Sequence, residues 1–327
     1  MRAVVLEEFG GPLRLRDLPE PVPGPGEVLV RVHASGVNPL DTKIRAGRAG
    51  HARTHLPAVL GLDLAGEVVE TGAGVDGIAV GDEVYGLTGG VADLPGSLAE
   101  FAAVDARLLA PKPVTLSMRE AAALPLAAIT AWEGLVDRAQ VRAGHKVLVH
   151  GGAGGVGSTA VQIALSRGAE VFATASAAKA DVVRRLGAVP IDYTTPVEKY
   201  VAAHTGGAGF DIVFDTVGGQ VLDASFEAVR TYTGHVVSAL GWGTHALAPL
   251  SFEGATYSGV FTLLPMLTGN GRAHHGDILR EITALADAGK LRPLMDPNRY
   301  DLTTVPEAHS AVEGGTALGK IVVDITR

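Results

Sequence analysis

One glycine-rich run narrows the possible folds more than any other stretch of the chain. Lys146-Val147-Leu148-Val149-His150 reads as a buried strand, Gly152-Ala153-Gly154-Gly155-Val156-Gly157 follows as G-x-G-x-x-G, and residues 158–167 carry a helical pattern closed by Gly168. Glycine suits such a turn for three reasons. The chain must reverse tightly, a pyrophosphate must reach the backbone, and the helix must pack on the strand with its free amides facing the anion. The run therefore predicts a dinucleotide-binding βαβ unit, with Gly152, Ala153, Gly154, Gly155, Val156 and Gly157 around the phosphates. A P-loop is set aside because no lysine precedes Ser158.

The texture of the chain changes on the way to this run. Residues 28–32, 66–69 and 83–87 are short apolar runs separated by turn signals such as Pro23-Gly24-Pro25-Gly26, which read as a small β-rich domain. From Arg119 the units lengthen. An Ala-rich helical segment, 119–131, precedes the strand at 146, and further strands are expected at 170–173, 189–191, 212–214 and 235–239. This alternation predicts a Rossmann-type α/β domain, a doubly wound parallel sheet over 119–262. Beyond Gly259 an amphipathic helix presents Ile278, Leu279, Ile282 and Leu285 and is closed by Gly289. The terminal strand Ile321-Val322-Val323-Asp324-Ile325 is expected to rejoin the first domain, giving a second domain of 1–118 and 263–327.

The end of the second Rossmann strand decides between cofactors, because NAD enzymes place an acid there on the ribose 2′-hydroxyl. Here it reads Phe172-Ala173-Thr174-Ala175-Ser176, with no acid before Asp181 and with Lys179 nearby. Ser176 can donate a hydrogen bond to a 2′-phosphate and Lys179 a charge-assisted one, so NADPH is expected. Composition excludes other classes. The 35 acids against 27 bases argue against nucleic acid as the main partner. No uncharged apolar run reaches membrane-spanning length, and acids at Glu7 and Glu8 interrupt any signal-like segment, so a cytoplasmic location is expected. The absence of cysteine removes disulfides, thiolate nucleophiles and cysteine-held zinc.

Several stretches together resemble the medium-chain dehydrogenase/reductase superfamily, and within it the zinc-independent quinone oxidoreductases. They are Ala34-Ser35-Gly36-Val37-Asn38-Pro39-Leu40-Asp41-Thr42, Leu60-Gly61-Leu62-Asp63-Leu64-Ala65-Gly66, Leu124-Pro125-Leu126 with Thr130-Ala131-Trp132, and the glycine run itself. The resemblance implies a GroES-like catalytic domain built from both chain ends, a Rossmann domain, a cleft for NADPH between them, and a homodimer joined through the Rossmann sheets. It also implies that Thr130 helps hold nicotinamide, that Tyr193 packs near the adenosine 2′-phosphate, and that Val217 and Leu240 face the cofactor from strand ends. Asn38 and Asp41 are implied to line the cleft. Lys43 stands where many members carry a tyrosine, and it is expected to take that residue's role as oxyanion partner or proton donor.

Zinc-dependent relatives would carry a Cys at Asn38, a His at Leu62 and a Cys at Leu126, so no metal is expected. His51 and His55 sit in a loop flanked by Gly and Pro and read as solvated; the pair His274-His275 is treated likewise. Without a Lewis acid, acceptors that delocalise their own negative charge are favoured, namely quinones and α,β-unsaturated carbonyls. The alternatives are a zinc-free carbonyl reductase of a biosynthetic pathway and a dinucleotide-binding structural or regulatory protein with incidental activity.

Overall fold

A computed structural model describes residues 1–326. The chain divides into two units, Met1–Leu126 together with the chain from Leu263 onward, and Ala127–Thr262. In the first unit the strands are β1 Arg2–Leu6, β2 Leu13–Asp17, β3 Glu27–Val37, β4 Ala58–Val59, β5 Asp63–Thr71, β6 Glu83–Leu87, β7 Phe101–Asp105 and β8 Leu109–Pro111. The spine is β3, whose Val28, Val30 and Val32 are fully buried. It pairs antiparallel with β5 along most of its length and with β7 along its first half. Strand β1 pairs separately with β2 and β4.

The second unit contains β9 Lys146–Val149, β10 Glu170–Ala175, β11 Val189–Asp192, β12 Ile212–Asp215, β13 His235–Ser238 and β14 Thr256–Gly259. Their order across the sheet is β11-β10-β9-β12-β13-β14, and every pair is parallel. The order reverses between β9 and β12, and the crevice at the carboxyl ends of those strands is where such sheets take ligands. Apolar strands such as Val147-Leu148-Val149 are buried on both faces because helices cover both, and one face is closed by Phe172, Phe210 and Phe226. The Phe172 and Phe210 rings meet edge to face at 5.4 Å. Each fully buried Phe contributes roughly 1.5–3 kcal/mol relative to exposure.

The chain then returns to the first unit through helix Arg272–Asp287 and adds β15 Tyr300–Asp301 and β16 Ile321–Asp324. Strand β16 pairs antiparallel with residues 34–37 of β3. In the returning helix Ile278, Leu279 and Ile282 are buried, and the Tyr85 hydroxyl donates to the Leu279 carbonyl at 2.7 Å.

The structure amends three local expectations. The Ala-rich segment 119–131 is two helices, Met118–Ala122 and Pro125–Trp132, because Pro125 lacks an amide and disfavours helix in the residue before it. Arg119 pairs with Asp324 of β16 at 2.7 Å, so the start of this segment packs with the first unit. Finally, β14 forms the edge of the parallel sheet although Thr256-Tyr257-Ser258-Gly259 offers no apolar run.

Candidate active site and dinucleotide pocket

The glycine run forms the strand–turn–helix unit that its spacing predicts. After β9 the chain turns at Gly151, whose φ of 75° suits glycine, and the helix Gly155–Ser166 starts behind an extended Gly154. A Cβ at Gly157 would lie 2.1 Å from the Gly151 carbonyl oxygen, and one at Gly152 would lie 2.4 Å from the Ala173 Cβ. Around Gly154 the space is more open, with only the Gly151 oxygen within reach at 3.2 Å. The first amides of a helix have no intrahelical partner, and such an end suits an anion.

This turn borders a cavity of about 650 Å³ lined by Gly151, Ala153, Gly154, Ser176, Lys179, Tyr193 and Val217, all within the second unit. Lys179 is half-buried there. Among the described residues no carboxylate lines it. The nearest acid in sequence on the β11 side, Asp192, accepts instead from the Thr194 amide and hydroxyl at 2.9 and 2.7 Å. Those two bonds hold its carboxyl below the usual range. Val217 reaches the wall because buried Asp215 accepts from the Val217 and Gly218 amides, each at 2.9 Å, and from the Ser238 hydroxyl at 2.6 Å. His150 is also at the wall; burial pushes its imidazole down to about 4, so it is neutral. Thr130, whose hydroxyl meets that of Thr262 at 2.8 Å, and Leu240 lie outside this lining.

In the first unit, Asn38 and Asp41 meet two residues to which the sequence attached no role. Asn38-Pro39 starts helix Pro39–Arg45, with proline at the position where a missing amide costs nothing. The Asp41 carboxylate turns back to accept the Asn38 amide at 2.8 Å. The Asn38 side chain then reaches into the interior. Its Nδ2 donates to Asp63 Oδ2 at 2.9 Å, and its Oδ1 accepts from the Lys320 ammonium. That ammonium also lies 3.4 Å from Asp63 Oδ2, and Asp63 Oδ1 accepts the Leu126 amide at 2.8 Å. All four side chains are at most 8% exposed.

Backbone bracing holds the cluster in place. Ser97 donates to the Asp63 carbonyl at 2.8 Å and meets the Ser35 hydroxyl at 2.7 Å. Burial pushes the Asp41 carboxyl up to about 7, the negative charge of Asp63 adds to this, and the Asn38 and Gly61 amides and Lys320 oppose it. Burial also raises Asp63, against the pull of Lys320, Asn38 and the Leu126 amide. One Asp41 oxygen, Oδ1, is buried without a hydrogen bond.

Lys43 is on the same helix but exposed, two residues on from buried Asp41 and so on a different face. Its charge, after partial burial, lowers the proton affinity of exposed His51. His55 pairs with Asp93 at 2.7 Å in solvent, whereas His275 is fully buried in helix Arg272–Asp287. The signal that could have found Lys320 is its place beside Gly319, immediately before the terminal apolar strand expected to rejoin the first domain.

A β-rich unit closed by both chain ends and a parallel sheet with a glycine phosphate turn define a two-unit, dinucleotide-dependent oxidoreductase. Comparison makes this specific. Residues 24–114 match the alcohol dehydrogenase GroES-like domain and residues 186–323 match the zinc-binding dehydrogenase family. The NADPH-dependent alkenal/one oxidoreductase of Arabidopsis thaliana chloroplasts is 36% identical over 334 residues, 99% of this chain and 79% of that protein. The spectinabilin polyketide synthase system protein NorB of Streptomyces orinoci is 39% identical over 91% of this chain, which spans only 13% of that much longer protein. A solved alcohol dehydrogenase superfamily protein from Novosphingobium aromaticivorans is 58% identical with a TM-score of 0.98, over 100% of both chains. The chain belongs to the medium-chain dehydrogenase/reductase superfamily.

The zinc of the matched family does not fit the residues present. Leucines at 62 and 126 have no donor atom, and the Asn38 amide oxygen already accepts from an ammonium that would repel a dication.

Proposed function

We propose that this chain is an NADPH-dependent, zinc-free reductase of quinones or α,β-unsaturated carbonyls, belonging to the quinone oxidoreductase branch and working as a homodimer. The observation that carries the reading is the Lys320–Asn38–Asp63 cluster, which puts a hydrogen-bonded ammonium on Asn38, a position where zinc relatives keep a metal ligand. NADPH bound on the glycine turn would supply hydride. Adding hydride to an enone carbon leaves an enolate, and to a quinone a hydroquinone anion, so the charge spreads within the substrate and needs donors rather than a Lewis acid. Asn38 serves as such a donor, and Lys43 as a second donor or the source of the final proton. Thr130 and Leu240 belong to the nicotinamide end of this reading, and Ser176, Lys179 and Tyr193 to the 2′-phosphate end. The alkenal/one oxidoreductase relative supports the acceptor class.

The test is steady-state turnover with NADPH and NADH across 1,4-quinones, enals, enones, α,β-unsaturated thioesters and simple ketones. The thioesters enter because of the polyketide synthase relative. NADPH is expected to be preferred, with Lys179→Ala losing about tenfold of that preference, equivalent to roughly 1.4 kcal/mol from one charge-assisted bond. Turnover is expected for quinones or activated alkenes. A clear NADH preference would overturn the cofactor assignment, and turnover confined to simple ketones would overturn the acceptor class.

A further inference from the structure

The side-chain amide of Asn38 could be seated in either of two orientations, and only one satisfies its neighbours. With Oδ1 toward Lys320 and Nδ2 toward Asp63, both contacts are attractive hydrogen bonds. Flipped, the amide would set its hydrogens against an ammonium and its oxygen against a carboxylate, two repulsive contacts in a buried setting where charge is poorly screened. Asp63 is itself held by the Leu126 amide and, through its carbonyl, by Ser97, so it cannot swing to meet a flipped amide. One Nδ2 hydrogen goes to Asp63. Among the described residues the other has no hydrogen-bond acceptor.

We infer that Lys320 is a positioning residue: its ammonium, paired with Asp63, locks the Asn38 amide so that the second Nδ2 hydrogen is presented to the substrate oxygen on which negative charge develops. The catalytic contact is Asn38's, and Lys320 acts through it. This rests on the reductase reading for what the hydrogen binds, but the locking itself needs no substrate. The lysine does by hydrogen bonding what a bound metal cannot do on this residue set, namely bring a fixed positive charge to Asn38 and Asp63.

The experiment uses the whole protein labelled with 15N only at asparagine. Asn38, Asn270 and Asn298 are the asparagines of the chain, so the side-chain NH2 spectrum is small. Asn270 and Asn298 are exposed and serve as internal references. The Asn38 pair is expected to exchange with solvent at least about tenfold more slowly than the other two, as buried hydrogen-bonded groups do. In Lys320→Met the pair is expected to shift and to exchange faster, and Lys320→Arg should keep it near its original state.

Activity gives the second readout. Because misplacing a group near the reacting atoms costs up to about 100-fold, kcat is expected to fall roughly 10- to 100-fold in Lys320→Met. The dissociation constant for NADPH, set in the other unit, should stay within about twofold. If Lys320→Met does not fold, Asp63→Asn/Lys320→Met removes both members of the ion pair and must show the same loosening of the Asn38 pair. An unchanged Asn38 pair in either variant, or one that exchanges freely in the unsubstituted protein, would overturn the inference. A protein with a locked amide that reduces neither quinones nor enones would instead overturn the function proposed above.

Discussion

His309 is fully buried on helix Val305–Glu313, and neither ring nitrogen has a hydrogen-bond partner. Burial, with the positive charge of Arg45 second, pushes it from 6.5 down to about 4. Between these values the unfolded chain binds a proton that the folded one does not, so stability rises with pH through this window and is lost as pH falls. The full effect is on the order of 3 kcal/mol. Asp41, raised to about 7, acts with the opposite sign: its folded form holds a proton that the unfolded chain gives up from about 4 upward. The pH curve of the unsubstituted protein is therefore a partly cancelling sum. The difference between it and His309→Leu isolates the histidine and should grow in the variant's favour from pH 6.5 to 4 by denaturant unfolding. A flat difference would refute a neutral, buried His309. The same burial explains what could be read beforehand at this scale. Asn38 and Asp41 lie three apart and announce themselves as a helix start, whereas Lys320 is 282 residues from Asn38 and, as a lone lysine, looks like any solvated one.

At the scale of elements, the phosphate turn makes two glycines with different duties. A methyl at Gly157 would strike backbone, 2.1 Å from the Gly151 oxygen and 3.0 Å from the Gly152 Cα, so the helix must move away from β9. Gly157→Ala is expected to cost about 1–3 kcal/mol, as overpacking does. Because the moved helix carries the phosphate-facing amides, the NADPH dissociation constant should rise roughly tenfold or more, equivalent to at least ~1.4 kcal/mol. Gly154→Ala meets only one atom, at 3.2 Å, and should change stability by less than about 0.5 kcal/mol while still weakening binding. Thermal unfolding and fluorescence titration of both variants check this; equal stability losses would contradict the steric account. Such duties were legible because glycine spacing is local, and β9, β10, β12 and β13 were legible because parallel strands buried on both faces are apolar runs. Strand β14 was not, since three of its four residues are exposed and an edge strand needs no apolar face. The helix break at Pro125 was missed because alanine content outweighed a single proline.

At the scale of the whole molecule, the sheet of the second unit ends in an unpaired edge. Within β14, Thr256 and Ser258 point their amides inward, to Gly234 and along the β13 ladder, which leaves the amides of Tyr257 and Gly259 facing away from β13. The same unit leaves Phe252 84% exposed, Tyr232 84% and Leu247 58%. A free strand edge beside large exposed apolar side chains is a liability for a lone chain and a ready surface for a second copy. A two-fold axis across β14 would let the outward amides of each copy donate to outward carbonyls of the other and cover the aromatic residues, which is the isologous arrangement favoured by homodimers. Sedimentation velocity at micromolar concentration is expected to give a dimer. Phe252→Lys combined with Thr256→Lys should shift it to monomer, because every charge brought across the axis then meets charge of the same sign, a cost of several kcal/mol for like pairs. The NADPH dissociation constant should be unaffected, since neither residue lines the dinucleotide cavity. A monomeric unsubstituted protein, or a dimer indifferent to both charges, would place any self-association elsewhere than on this edge.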